Sequence, residues 1–150
     1  MDICGVDVSP CAVRFAQQKA ESCGADVSFE TADALTDGLP EGYDVIVSSL
    51  FLHHLEDGHA QRLLHVMASA ARHLVVVNDL VRHGLNLLMV QVAARLVTRS
   101  DVVHVDGARS VRAAFTRQEV RELAKAAGLD GATVKLCFPC RFLLTWSRPQ

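Results

Sequence analysis

The stretch from Tyr43 to Asp57, YDVIVSSLFLHHLED, constrains the fold more than any other part of the chain. Its first five residues, Tyr43 to Val47, are mainly aromatic and β-branched and are followed by two serines, which predicts a short buried strand. Strands buried on both faces usually belong to parallel sheets, and open parallel sheets bind ligands beyond the carboxyl ends of their strands. A binding site is therefore expected at the residues that follow this strand, which include Ser48, Phe51 and His53.

The residues before this stretch repeat a pattern of strand and acid. The opening strand ends at Asp7, after which Ser9 suits a helix N-cap and Pro10 suits the first helical position. A second strand, Val27 to Thr31, leads to Asp33. Because the carboxyl ends of neighbouring parallel strands lie at one edge of a sheet, we expect both acids at that edge.

The remaining residues continue the alternation of strands and helices, which predicts an α/β fold with a mostly parallel sheet. Thr116 and Glu119 form a capping box that starts the last helix. Two further strands around Pro139 indicate an antiparallel hairpin at the C-terminus. The predicted ranges are a helix over 58–72, a strand over 73–77, a helix over 116–127 and strands over 133–138 and 141–146.

Residues 80–115 interrupt this alternation. Leu85 to Val97 is apolar nearly all round, and a polar, turn-rich stretch follows it. This connection is longer than the few residues that usually join a strand to a helix. We therefore expect a cap-like insertion within one domain spanning residues 1–150.

Composition excludes several classes of partner. A formal net charge of −2, with basic residues scattered along the chain, gives no reason to expect nucleic acid. The longest apolar stretch, Leu85 to Ala94, is well short of the roughly 20 residues that cross a bilayer. A small neutral or amphipathic partner fits better than nucleic acid or a membrane span, and it is expected to be apolar or aromatic if part of Leu85 to Val97 faces the cleft.

The five cysteines are odd in number and lack the spacing of a disulfide framework. With no signal peptide visible at the N-terminus, the cytoplasm is the expected compartment. Cys137 and Cys140 form a CxxC pair, which offers only two of the four ligands of a structural zinc site and is expected to be two buried thiols near a turn. The histidines lack the HExxH pattern, so no metal site is predicted.

In their order and spacing, these segments resemble the class I S-adenosylmethionine-dependent methyltransferases, especially the small-molecule type. The resemblance implies a Rossmann-like sheet and methyl transfer from S-adenosylmethionine to a small organic acceptor at oxygen or carbon. The matching phrases are GVDVSP at Gly5–Pro10, TADA at Thr31–Ala34, SSLFLHHLED at Ser48–Asp57 and LVVVND at Leu74–Asp79.

The resemblance also implies which residues hold the cofactor. Asp7 stands where the family keeps an acid for the ribose hydroxyls, and a carboxylate can accept two hydrogen bonds from a diol. Asp33 stands where the family binds the adenine amino group, although each acid could instead serve only its own turn. The cofactor-binding residues implied in this way are Asp7, Val8, Asp33, Ala34, Ser48 and Phe51.

A base is needed only if the acceptor carries a hydroxyl or a similar protonated group. His53 is the candidate, because imidazole titrates near neutrality and its position resembles the histidine of the LHxWxD phrase of some O-methyltransferases. The alternative is that His54 faces the cleft instead, and a purely structural role for His53 is equally compatible with the sequence.

The family's first strand and its glycine-rich GxGxG loop would precede Met1, and the sequence lacks them. We therefore expect an N-terminally incomplete domain, in which cofactor binding is impaired or a strand is borrowed from another copy in a homodimer. Two rival functions stay open. A nicotinamide-dependent dehydrogenase would also use Asp7 for a ribose but calls for a Tyr-x-x-x-Lys pair, and the sole tyrosine, Tyr43, lies in a predicted strand. The other rival is a non-catalytic interaction module.

Overall fold

The computed structural model describes residues 1–82, 111 and 113–149. The predicted cap-like insertion lies almost entirely outside the described residues, as does its apolar segment Leu85 to Val97. The described elements, in chain order, are β1 (Cys4–Asp7), α1 (Pro10–Cys23), β2 (Ser28–Thr31), β3 (Val45–Ser49), a single 3₁₀ turn (Leu52–His54), α2 (Asp57–Ala70), β4 (Leu74–Leu80), α3 (Arg117–Ala126), β5 (Thr133–Cys137) and β6 (Arg141–Ser147).

The first compact unit spans Met1–Glu41 and contains β1, α1 and β2. The two strands pair in parallel, so that Asp7 lies opposite Thr31. The side chain of Ser9 caps α1 by accepting from the backbone of Ala12, and Gly24 ends the helix with a left-handed backbone, φ 66°. The local signals in the sequence therefore form the expected strand, helix and strand.

The second compact unit spans Gly42–Gln150 and contains a four-stranded sheet in the order β3-β4-β6-β5. β3 and β4 are parallel, whereas β6 runs antiparallel to both β4 and β5. This arrangement confirms the predicted α/β fold with a parallel sheet and a C-terminal antiparallel hairpin. The prediction of a single domain over residues 1–150 stays a prediction.

The core of the second unit lies between its sheet and helices α2 and α3. Along β4 every second side chain is fully buried, and β6 contributes large apolar groups from the same face of the sheet. Burying one such side chain stabilises a fold by roughly 1.5–3 kcal/mol. The most deeply buried apolar side chains include Leu64, Met67, Val75, Val77, Val120, Phe142 and Leu144.

The central strand is shifted from its predicted position. The sequence predicts a strand over Tyr43 to Val47, but β3 runs from Val45 to Ser49. The expected burial of this strand is also wrong, because Val45 and Val47 are 45% and 63% exposed and Ile46 is only half-buried. The strand ends where backbone pairing with β4 ends, at the pair Ser49 and Asn78. Ser48 therefore lies inside the strand and not beyond it.

The described helices are all too short or too polar to reach across a lipid bilayer.

Candidate functional site

β1 ends at Asp7, and the carboxylate of Asp7 accepts a hydrogen bond from the turn that follows the strand. Oδ1 of Asp7 accepts a hydrogen bond of 2.7 Å from the backbone N–H of Ser9. The side chain is exposed, as is that of Val8. One oxygen of Asp7 thus orients the turn into α1, and a carboxylate has acceptor capacity for further donors.

Asp33 organises the turn that follows β2. Its Oδ1 accepts a hydrogen bond of 2.8 Å from the backbone N–H of Leu35, and its own N–H donates to Oδ2 of Asp37 at 2.9 Å. Asp33 and Ala34 are half-buried. These bonds hold the carboxylate in a fixed orientation without exhausting its acceptor sites.

The two acids lie at the same edge of one parallel strand pair. Asp7 is the last residue of β1 and lies opposite Thr31, the last residue of β2, and Asp33 follows two residues later. The backbone N–H of Ala32 donates to the carbonyl oxygen of Asp7 at 3.2 Å, which extends the pairing toward Asp33. The prediction that both acids end neighbouring parallel strands is confirmed, and their role in binding stays a prediction.

The chain turns sharply after β3. Leu50 has a left-handed backbone, φ 54°, which is uncommon for a residue with a Cβ atom. Its N–H donates to the carbonyl oxygen of Asn78 at 2.9 Å, so the turn is fastened to β4. Phe51 follows with 43% of its surface exposed, and Ser48 lies opposite the buried Val77. An aromatic side chain is thus presented beyond the strand end.

His53 forms a buried pair with Asp79. Nδ1 of the imidazole lies 2.6 Å from Oδ1 of Asp79, and the backbone N–H of His53 donates to Oδ2 at 3.3 Å. Only 6% of His53 and none of Asp79 is exposed. The backbone N–H of Leu80 donates to Oδ1 at 2.6 Å as well. A buried carboxylate is thereby satisfied by three donors.

This contact fixes which ring nitrogen can accept a proton. A carboxylate only accepts hydrogen bonds, so Nδ1 carries the hydrogen toward Asp79. Nε2 then has a lone pair that can accept a hydrogen bond or a proton. The adjacent His54 is exposed, and its ring centroid lies 4.0 Å from that of His53. The pair has the chemistry of a general base held in one tautomer.

Sequence reasoning did not identify Asp79 as the partner of His53, because the two residues are 26 positions apart. A signal was available: LVVVND places an acid at the carboxyl end of a strand that pairs in parallel with β3. An acid at that end and a histidine just beyond the neighbouring strand meet at one edge of the sheet.

A cavity of about 500 Å³ opens in the second unit near the N-termini of α2 and α3. Its lining includes Arg82 and Glu119, whose side chains form an ion pair. The backbone N–H of Thr116 donates to Glu119 and holds the pKa of this carboxyl below its usual value, with Arg82 acting in the same direction. The volume lies in the range of small-ligand sites.

Comparison with known proteins relates this chain to methyltransferases. Residues 1–74 match a family described as "Methyltransferase domain". Among solved structures, the chain is similar to the S-adenosylmethionine-dependent methyltransferase SibL, with a TM-score of 0.73 and 16% identity over all of this chain. No curated protein sequence matches.

Two other solved structures carry bound small molecules. Magnesium protoporphyrin IX methyltransferase from Synechocystis PCC 6803, solved with bound SAH, has a TM-score of 0.65 and 20% identity, with 99% of this chain covered. An O-methyltransferase family 2 protein from Planctomyces limnophilus, in complex with apigenin, has a TM-score of 0.67 and 17% identity, with 97% of this chain covered.

The chain spans only part of the length of these proteins. It covers 44% of SibL, 64% of the Synechocystis enzyme and 42% of the Planctomyces protein. At such low identities the likeness establishes the fold, which is the Rossmann-like fold of S-adenosylmethionine-dependent methyltransferases.

Proposed function

We propose that this chain is a class I S-adenosylmethionine-dependent methyltransferase domain that takes part in methyl transfer to a small organic acceptor at oxygen or carbon. The observation that carries the proposal is the pair of acids, Asp7 and Asp33, at one edge of β1 and β2. Two carboxylates at the ends of adjacent parallel strands suit a ligand that presents hydroxyl and amino donors side by side, as a nucleoside does.

The residues of the first unit fit the nucleoside part of the cofactor. Asp7 would accept hydrogen bonds from the ribose hydroxyls, and its contact with the N–H of Ser9 holds the carboxylate in place for them. Asp33 would accept from the adenine amino group, with Ala34 and Val8 beside the rings. When bound, S-adenosylmethionine supplies an electrophilic methyl group on a positively charged sulfur.

The residues of the second unit fit the acceptor chemistry. Nε2 of His53 would take the proton of an acceptor hydroxyl as its oxygen forms the bond to the methyl group. Asp79 would hold the imidazole in the required tautomer and stabilise the imidazolium. Ser48 and Phe51 would line the cofactor pocket, with the exposed ring of Phe51 as an apolar wall. The acceptor itself would be apolar or aromatic. The apigenin complex of the Planctomyces protein agrees with such an acceptor.

Two further expectations belong to this proposal. The cytoplasmic location expected from the sequence stays a prediction. A homodimer, proposed from the sequence, also stays a prediction.

Titration calorimetry with S-adenosylhomocysteine tests the cofactor assignment. We expect micromolar binding, and about a 10- to 100-fold loss for Asp7→Asn, because hydrogen bonds to charged groups are worth roughly 1.5–3 kcal/mol. Asp26→Asn, an exposed loop acid of the same unit, is the matched control and should bind normally. No binding by the wild type up to millimolar ligand, or equal losses in both variants, would refute the assignment.

The role of His53 is tested by His53→Asn. Asparagine can retain a donor toward Asp79 but has no atom equivalent to Nε2. If His53 is the base, the rate constant for methylation should fall by about 10²–10⁴ while the midpoint of thermal unfolding stays nearly constant. His54→Asn is the control and should keep most activity. A loss of stability without a loss of rate per folded molecule would leave His53 a structural residue.

A further inference from the structure

The tip of the β5–β6 hairpin carries two thiols that the methyl-transfer proposal does not use. Cys137 ends β5, Cys140 immediately precedes β6, and both are free. The expectation that both are buried is wrong for Cys137, which is exposed, whereas Cys140 is half-buried. Phe138, between them, is 89% exposed. The pair is therefore open to solutes.

The hairpin brings the two cysteines close together. Cys137 lies opposite Arg141 in the strand pairing, so only the turn of residues 138–140 separates β5 from β6. In a tight turn, residues three apart have Cα atoms within about 7 Å, and disulfides span roughly 4.4–6.8 Å between Cα atoms. The backbone of this turn is thus compatible with a bond between the two sulfur atoms.

Cys140 adopts a backbone conformation in which other residue types are usually found. Its φ of 57° lies in the left-handed region, where glycine, asparagine and aspartate are the usual choices. Its carbonyl oxygen accepts a hydrogen bond of 3.0 Å from the N–H of Val81, which anchors the turn to the end of β4. A cysteine held in a strained backbone conformation points to a use for its thiol.

We propose that Cys137 and Cys140 form a thiol–disulfide exchange site for low-molecular-weight disulfides such as glutathione disulfide. The exposed Cys137 loses its proton, attacks one sulfur of glutathione disulfide and releases one glutathione thiolate. Cys140 then attacks the sulfur of Cys137 in the mixed disulfide and releases the second glutathione. The two protein thiols are oxidised to one disulfide, glutathione disulfide is reduced to two glutathione molecules, and the two protons pass to these thiolates.

A metal role for the pair is less well supported. Within residues 1–82, 111 and 113–149, no group of three or more histidines, cysteines and acids could hold a metal ion. Two thiolates supply half of the ligands of a structural zinc site. Disulfide exchange needs only the two thiols present.

The test uses the full chain equilibrated in glutathione buffers of increasing oxidised fraction, then quenched with acid, alkylated and digested with trypsin. The peptide Leu136–Arg141 contains both cysteines and no other. In the wild type, we expect this peptide to lose two hydrogens without retaining glutathione. In Cys140→Ser, Cys137 should retain bound glutathione at a level about tenfold above the wild type, because the second thiol that resolves the mixed disulfide is missing.

Cys23 is the internal control, since it is exposed and should form only mixed disulfides. Cys140→Gly, which suits the left-handed backbone, checks that the adduct in Cys140→Ser does not come from misfolding, and it should retain the same adduct. The proposal is overturned if the wild-type pair stays reduced in glutathione disulfide alone, or if wild type and Cys140→Ser retain equal amounts of glutathione.

Discussion

Two aspartate–histidine pairs in the second unit differ mainly in their surroundings. Asp79 and His53 are buried, whereas Asp44 and His73 are largely exposed and lie 3.6 Å apart. Replacing Asp79 by alanine leaves the buried N–H groups of His53 and the half-buried N–H of Leu80 without their acceptor. We expect Asp79→Ala to lower the free energy of unfolding by about 2–4 kcal/mol, measured by urea denaturation.

The exposed pair provides the control for this prediction. Asp44→Ala should change the free energy of unfolding by no more than about 0.5 kcal/mol, since exposed ion pairs contribute little. Equal changes in the free energy of unfolding for Asp79→Ala and Asp44→Ala would mean that burial does not explain how Asp79 stabilises the protein.

At the residue scale, sequence reasoning located the groups but not all of their partners. Asp7 and Asp33 were predictable because Asp7 ends one strand and Asp33 lies two residues after the next, and the fold brings such positions to one edge. The Asp79–His53 contact depends on a parallel register between strands far apart in sequence. The exposure of Cys137 depends on what covers the hairpin tip, and local composition does not encode this.

At the scale of elements, α3 shows how a few residues define a helix start. The hydroxyl of Thr116 accepts from the N–H of Glu119, and the carboxylate of Glu119 accepts from the N–H of Thr116. These bonds lower the pKa of Glu119 from its ordinary 4.5. A lowered folded-state pKa stabilises the protein above pH 4.5, and this contribution is lost as the pH falls through the folded-state pKa.

We therefore expect Glu119→Gln to lower the urea midpoint at neutral pH. The difference from the wild type should shrink as the pH falls below 4.5, because the protonated wild-type side chain then resembles glutamine. Glu122→Gln, on the same helix, is the control and should show a smaller pH-dependent difference. A difference that grows on acidification would contradict this role of Glu119.

The sequence predicted the ends of helices and strands most accurately where particular side chains define those ends. The capping box begins α3 at Arg117, and Pro10 begins α1, both as predicted. The predicted strand ends were less accurate, since strands end where backbone pairing ends. β3 therefore extends two residues past its apolar run, to Ser49.

At the scale of the whole molecule, Arg148 joins the end of the chain to α2. Its guanidinium donates to the carbonyl oxygens of Ala68, Ser69 and Ala71, at 2.6, 3.0 and 3.0 Å. Carbonyl groups at a helix C-terminus lack partners within the helix. We expect Arg148→Ala to lower the free energy of unfolding by about 1.5–3 kcal/mol, the range for hydrogen bonds to charged groups.

The matched substitution for Arg148→Ala is Arg121→Ala, on the exposed surface of α3. The free energy of unfolding of Arg121→Ala should lie within about 0.5 kcal/mol of that of the wild type, measured by calorimetric or urea unfolding. If Arg148→Ala and Arg121→Ala have the same free energy of unfolding, the contacts of Arg148 do not stabilise α2.

The two units should differ in local stability. In residues 1–41, all of which the structure describes, only Ala20 is buried, whereas α2, β4 and β6 are rich in buried side chains. Few buried apolar groups mean that a two-stranded sheet opens easily, so amides of β1 and β2 should exchange with solvent faster than those of β4.

Because S-adenosylhomocysteine would bind only closed β1 and β2, a concentration of 100 times its Kd should slow their exchange about a hundredfold. In Asp7→Asn, the same concentration of S-adenosylhomocysteine should slow amide exchange less than in the wild type. Slow exchange of the β1 and β2 amides without ligand would contradict this prediction, because Met1–Glu41 would then be stable without a bound nucleoside.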